Sequence, residues 1–384
     1  MKTYIKADKF FYKSGVKQGG VLEIIDGKFG DWSSEIPTEG VVLDYTGKWI
    51  APGLVDTHIH GFGGVDVMDN DASQVIHTMS EGLLSTGVTS FLPTTLTGDH
   101  ALLKEVSKGI GDHYREATGA KIQGIYFEGP YFTEEYKGAQ NPIYMSNPSL
   151  DEFHEWQHAA GGLIKKIALA PERDGVDEFV REVTDEGVVV ALGHSNATLD
   201  EAKLAVDAGA SVWVHAYNGM RGLTHREPGM VGSVMSLPHT YAELICDGHH
   251  VHPTACEILM DKLGRKNVAL ITDCMRAGGM PDGDYMLGEF PVIVEDGTAR
   301  LKDTPTSLAG SILKLFQGVQ NIVKWDIASV EEAIHMATYV PAVSCKIDDK
   351  CGQIKNGRDA DFIVLDQSLN LVATFVDGVK RFEN

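Results

Sequence analysis

Eight short apolar runs, most of them followed by a residue that can bind a metal or move a proton, constrain this chain more than any other feature. The runs are Trp49–Thr57, Val88–Thr94, Ile122–Phe127, Ile164–Ala170, Val188–Leu192, Ser211–Val214, Ala242–Cys246 and Val268–Thr272. Helix-period segments separate most of them, among them Ser73–Ser85, Leu150–Ala160, Asp174–Asp185, Thr198–Ala208 and Pro253–Leu263. Thr198 with Glu201 has the spacing of a capping box. Eight buried strands alternating with helices predict an α/β protein built as a (β/α)8 TIM-type barrel. A doubly wound sheet has the same periodicity. The placement of the reactive residues favours the barrel, because there the strand C-termini converge on one face.

The first run ends in His58-Ile59-His60. Glu128 follows the third, His194 the fifth and His215 the sixth. The seventh leads to His249 and His250, and the eighth ends at Asp273. At a strand end, residues two apart project to the same side, so His58 and His60 can serve one metal. Alone, that pair is a weak motif. With Glu128, His194, His215 and Asp273 at four other strand ends it becomes a strong one. Imidazoles and carboxylates without thiolates suit one or two divalent ions, Zn2+ or Fe2+ first and Mn2+ or Co2+ next.

Each residue has a plainer reading. Asp273 could be a helix N-cap, Glu128 a turn acid before Gly129-Pro130, and His225, His249 and His252 ordinary loop histidines. None of these explains why reactive types recur after successive runs. A divalent ion lowers the pKa of bound water from about 15.7 towards about 7 and polarises a carbonyl. Asp273 is the candidate to take the water proton and return it to a leaving amine. His250 is the candidate to hydrogen-bond the oxygen that becomes an oxyanion. The expected chemistry is metal-assisted hydrolysis of an amide or related C–N bond. Gly193-His194-Ser195 is no nucleophile elbow, there is no phosphate-binding P-loop, and Gly61-Phe62-Gly63-Gly64 lacks the spaced third glycine of a dinucleotide site.

Both ends of the chain read differently, as short β runs. These are Tyr4–Ala7, Val21–Ile25 and Val41–Leu43 at the start, with Gly352–Ile354, Asp361–Leu365 and Leu371–Phe375 at the end, the last before the turn Asp377-Gly378. The expected organisation is a small β-sandwich made from residues 1–50 and 346–384 around a barrel of residues 51–345. Acidic residues exceed basic ones by 54 to 33, for a net charge of −21, which disfavours nucleic acid and acidic membrane surfaces as partners. Five cysteines without CxxC spacing argue against a disulfide framework and a structural zinc module. No apolar stretch of membrane-spanning length occurs, and the expected location is the cytoplasm.

The segment Ala51-Pro52-Gly53-Leu54-Val55-Asp56-Thr57-His58-Ile59-His60-Gly61 resembles the entry motif of the amidohydrolase superfamily. Gly352-Gln353-Ile354 with Gly357-Arg358-Asp359-Ala360-Asp361-Phe362 resembles the strand pair that closes its β-sandwich. Within it, the chain is similar along nearly its whole length to N-acetylglucosamine-6-phosphate deacetylases. Phe127-Glu128-Gly129-Pro130-Tyr131, Leu192-Gly193-His194-Ser195, His215-Ala216-Tyr217-Asn218-Gly219-Met220, Arg226-Glu227-Pro228-Gly229, Asp247-Gly248-His249-His250-Val251, Ile271-Thr272-Asp273 and Leu308-Ala309-Gly310-Ser311 carry the likeness.

The resemblance implies that Glu128, His194 and His215 are the core metal ligands and Asp273 the general base and acid. It places His250 on the substrate's carbonyl or sugar, and Asn218 and Arg226 on the 6-phosphate, in this family sometimes across a dimer interface. Ala216, Gly219, Leu308 and Ala309 would line the sugar pocket. Because His58 and His60 are both present, a two-metal site is open, with Glu128 as bridge and Asp273 partly a ligand. Gln140 stands where many relatives carry a histidine, and glutamine can donate and accept but not titrate. Arg226 is also the kind of local cation an acidic protein needs to grip a phosphate. The implied reaction is deacetylation of N-acetyl-D-glucosamine 6-phosphate by a homodimer. The alternatives are the galacto epimer or another C–N bond of the superfamily.

Overall fold

The computed structural model describes residues 2–384. At its centre eight strands form a parallel barrel. They are Leu54–Ile59, Val88–Thr95, Ile125–Tyr131, Ile164–Leu169, Val189–Leu192, Val212–Trp213, Tyr241–Leu244 and Val268–Leu270. Every neighbouring pair is parallel. The ring closes where the Asp273 amide donates to His58 O at 2.9 Å and the His60 amide to Cys274 O at 2.8 Å. Helices cover the outside, which is why these strands read as unbroken apolar runs rather than alternating ones.

All eight expected runs have a counterpart, and two have bounds shifted by more than two residues. Trp49–Pro52 is not part of the barrel. It ends the strand Val41–Pro52 of a second sheet, and the chain enters the barrel only at Leu54. Gly53 is the joint, packed so closely that a Cβ there would lie 2.0 Å from Thr89 Oγ1. Lys121–Ile122 is likewise a separate short strand on Val88–Thr95, and the third barrel strand begins at Ile125.

The expected helices appear as Ala72–Leu83, Leu150–Ala159, Val176–Asp185, Leu199–Ala208 and Pro253–Leu263. Val176–Asp185 buries Val176, Phe179, Val180 and Val183, the stripe of an amphipathic helix against a barrel. The Thr198–Glu201 capping box is formed in both directions.

The second sheet takes strands from both ends: Lys2–Tyr12, Gly15–Gln18, Val21–Ile25, Lys28–Ser33 and Val41–Pro52, then Phe362–Leu365, Leu371–Val376 and Val379–Glu383. Its pairs are antiparallel except Lys2–Tyr12 with Val41–Pro52. A bridge from Lys28 to Asp359 curls it around a core that includes Ile5, Phe10, Phe29, Phe362 and Phe375. Gly352–Ile354 is not a strand. It is turn structure that still sends Ile354 into this core. Past the eighth barrel strand a three-stranded antiparallel sheet, Gly283–Leu287, Phe290–Glu295 and Thr298–Leu301, was not anticipated. Among the described residues no helix is long and apolar enough to cross a membrane. All five cysteines are free and buried.

Candidate active site

The barrel's strand ends bring His58, His60, Glu128, His194, His215 and Asp273 into one buried cluster, none of them more than 9% exposed. They divide into His58, His60 and Asp273, and Glu128, His194 and His215, with the donor atoms of each set within 4.8 Å of one another. Glu128 lies between the sets. Its Oε1 is 3.3 Å from His58 Nε2, 3.3 Å from His194 Nε2 and 3.2 Å from His215 Nε2, and its Oε2 is 3.2 Å from His60 Nε2. Asp273 Oδ1 is 3.1 Å from His60 Nε2 and 3.5 Å from His58 Nε2.

Each imidazole is held from behind through Nδ1. His58 Nδ1 meets Glu243 Oε2 at 3.0 Å and His60 Nδ1 meets Thr94 O at 3.1 Å. His194 Nδ1 meets Tyr136 O at 2.9 Å and His215 Nδ1 meets Asn218 O at 3.1 Å. A carbonyl or carboxylate can only accept, so all four protons sit on Nδ1 and all four Nε2 atoms turn inward. This is the arrangement in which an outer acceptor orients a metal-binding histidine. The fit to a cation is visible at two points. His194 Nε2 and His215 Nε2 face each other at 3.1 Å, and the buried His58 Nε2, though 3.3 Å from Glu128 Oε1, makes no hydrogen bond among the described residues.

The field at the centre favours positive charge. Burial works against a charged His58, but the carboxylates of Glu128, Asp273 and Glu243 outweigh it and hold the ring up to about 9. His60 is raised well above the usual imidazole value against the same burial, by Asp273 and Glu128. Burial would lift Glu128, yet His58, His194 and His215 hold it well below the usual carboxylate range. Asp273 is lowered, with His58 and His60 overcoming its burial.

The chain makes sharp exits from its strands here. His194, His215 and Asp273 have φ of 45°, 24° and 51°, a region uncommon for residues with a side chain and concentrated at functional sites. Gly219, at φ 58°, lies so close to His194 that a Cβ would fall 2.8 Å from Nδ1.

The pattern of the amidohydrolase family matches residues 49–381. The chain belongs to the amidohydrolase family. It is 41% identical to an N-acetylglucosamine-6-phosphate deacetylase of Vibrio furnissii over 87% of this chain and 83% of that one. It is 37% identical to an N-acetylgalactosamine-6-phosphate deacetylase of Escherichia coli O157:H7 over 98% and 99%. A Mycobacterium smegmatis N-acetyl-D-glucosamine-6-phosphate deacetylase, solved with N-acetyl-D-glucosamine-6-phosphate, superposes with TM-score 0.93 at 29% identity over 99% of both chains.

In this amidohydrolase the metal-type residues open onto a pocket of about 310 Å3. His250, Gln140, Asn218, Gly219 and Leu308, all expected to meet substrate, are among the residues that line it. His250 Nδ1 is fixed by Asp247 Oδ2 at 2.6 Å. Gln140 uses both ends of its amide, donating to Glu128 Oε2 at 2.6 Å and accepting from the Thr97 amide at 2.8 Å. Of the other expected substrate contacts, Ala216 and Ala309 are buried and Arg226 is exposed on a loop, and none of the three is among the residues lining the pocket. Among the described residues no lysine or arginine lines the pocket.

Glu243, Lys166 and Asp247 were not foreseen as parts of the site. The signal for the first two was a charge inside a largely apolar run, at Glu243 in Ala242–Cys246 and at Lys166, beside Lys165, in Ile164–Ala170.

Proposed function

We propose that this amidohydrolase removes the acetyl group of N-acetyl-D-glucosamine 6-phosphate, giving D-glucosamine 6-phosphate and acetate. The observation that carries the reading is the buried set of four inward Nε2 atoms around Glu128, opening beside Asp273 into a sugar-sized pocket. Glu128, His194 and His215 would hold one divalent ion, and His58, His60 and Asp273, with Glu128 as bridge, a second. Donors of this type suit Zn2+ or Fe2+, with Mn2+ or Co2+ as substitutes. Such an ion supplies Lewis-acid polarisation of the amide carbonyl and a more acidic water.

The chain's own residues do the rest. Asp273, kept ionised by its histidine neighbours, takes a proton from the attacking water and delivers it to the departing nitrogen. His250, oriented by Asp247, hydrogen-bonds the acyl oxygen or the sugar. Gln140 steadies Glu128 while facing the same pocket. Asn218 binds the phosphate end, and Gly219 lines the sugar pocket. Because the pocket lining lacks lysine and arginine, the cation for the phosphate dianion would be Arg226 from a second copy, in a homodimer. Leu223, 56% exposed on the same loop, fits a contact there. The buried free thiols favour a reducing cytoplasm.

The relative from Escherichia coli O157:H7, similar over the whole length, favours a second reading in which the galacto epimer is the substrate. Acetate release by metal-loaded protein from the two epimeric 6-phosphates decides between them. Release from neither would overturn both.

A further inference from the structure

Beneath the metal cluster the barrel interior carries two opposite charges, in a place that such barrels ordinarily fill with branched apolar side chains. Lys166, on the fourth strand, is 0% exposed, and Glu243, on the seventh, is 1% exposed. The Lys166 ammonium donates to Glu243 Oε1 and, at 2.9 Å, to Thr57 O, and it lies 3.6 Å from the centre of the Tyr126 ring. The other oxygen, Glu243 Oε2, accepts from His58 Nδ1 at 3.0 Å and from the His215 amide at 3.3 Å. His58 is further confined edge-to-face against Tyr126, at 4.9 Å and 89°. A buried ion pair stabilises a fold no better than apolar residues of similar volume, so this pair calls for another reason.

We propose that Glu243 is a positioning residue that fixes the proton of His58 on Nδ1, leaving Nε2 for a metal, and that Lys166 dictates which way Glu243 serves. The inference rests on the metal centre proposed above. The division of labour is by oxygen atom: Oε1 is committed to the ammonium, so Oε2 is the one acceptor that His58 and the His215 amide share. One side chain thereby aligns a ligand of each metal set. The position built from His58, His60 and Asp273 depends on it most, since only there does the ligand ring itself hang on Glu243.

Glu243→Gln tests this at constant size. Lys166 claims the amide oxygen, so the NH2 group faces His58 Nδ1 and the His215 amide, donor against donor. His58 must then shift its proton to Nε2 and cease to be a ligand. In Lys166→Met/Glu243→Gln the amide can turn and offer its oxygen to both again.

Metal-stripped proteins are titrated with Zn2+. Bound metal is measured after dialysis, and affinity by competition with a chromophoric chelator. The parent takes two equivalents per chain. Glu243→Gln keeps one and binds the second at least about tenfold more weakly, in line with the loss of an outer partner of a ligand. The double variant regains the second equivalent, which a purely structural role would not produce. Two equivalents at parent affinity in Glu243→Gln, a double variant weaker than the single one, or a parent that saturates at one equivalent would each overturn the inference. Should Glu243→Gln fail to fold, Glu243→Asp is read in the same way, because it keeps the charge for Lys166 but withdraws from His58. Turnover of the phosphorylated sugar is followed in the parent alongside. Its absence counts against the deacetylase reading, and the stoichiometry alone decides the role of Glu243.

Discussion

His194 and His215 point their Nε2 atoms at each other across 3.1 Å while each ring is anchored through Nδ1 to a backbone carbonyl. Two lone pairs in that position are reconciled by a cation. Chelation is therefore expected to abolish turnover and to lower the unfolding midpoint, and Zn2+ or Fe2+ to restore both. An ion present at a hundred times its dissociation constant stabilises the fold by about 2.7 kcal/mol. A calorimetric scan with and without chelator checks this. An unchanged midpoint, with full activity, would contradict it.

Asp273 touches both His58 and His60 of its set and opens onto the pocket. Asp273→Asn is expected to lower kcat by roughly 10²–10⁴-fold, the range for loss of a general acid–base, with KM for the sugar little changed. Steady-state kinetics at saturating metal decide it. A kcat near that of the parent removes Asp273 from proton transfer.

Gln140 ties Glu128 to the Thr97 amide, so it supports the carboxylate proposed as the bridge as well as facing the pocket. Gln140→Ala leaves a buried N–H without a partner, which is expected to cost about 1–3 kcal/mol. The same change is expected to weaken metal binding by about tenfold, as for other outer-shell partners. Urea unfolding and a metal titration read the two effects separately. Normal metal affinity with a raised KM would make Gln140 a substrate contact only.

The residues that are hard to find by reading the chain are hard for a physical reason. Strands buried on both faces read as continuous apolar runs, so all eight barrel strands were legible, and the candidate metal ligands were legible because they follow those runs. Trp49–Pro52 was merged with the first barrel strand because apolar residues continue through it and only Gly53 marks the joint. The sheet of residues 283–301 was missed, although Phe290–Val294 is an apolar run, because its neighbour Gly283–Leu287 is half-exposed and shows little apolar periodicity. Lys166 and Glu243 lie on different strands and meet only through barrel closure. Arg226 was named by its motif, but the phosphate contact proposed for it needs a second copy of the chain.

Where the curled sheet meets the barrel, Lys121 is surrounded by Asp359 at 2.8 Å, Asp361 at 3.0 Å and Asp377 at 2.6 Å. Removing the cation leaves three carboxylates together. With the Lys121 side chain 22% exposed, Lys121→Met is expected to cost about 1–3 kcal/mol, less than the breaking of a fully buried pair. Burial would raise Asp359, but Lys121 and Lys28 lower it. Its stabilising contribution is therefore complete above the unfolded carboxylate value and fades as pH falls through the lower folded one. Asp361, raised by burial, works in the opposite sense, its strain easing as it protonates. Both effects make the gap between parent and variant narrow as pH falls below about 4. Urea midpoints at neutral and acid pH test this, and a gap that widened in acid would refute it.

The most direct test is acetate release from N-acetylglucosamine 6-phosphate and from N-acetylglucosamine by metal-loaded parent and Arg226→Ala. The account predicts strong release from the phosphorylated sugar and little from the free one. In Arg226→Ala it predicts a KM raised roughly 10–100-fold for the phosphorylated sugar alone, as expected for loss of a charge-assisted hydrogen bond. No release from the phosphorylated sugar by the metal-loaded parent would contradict the account at its centre.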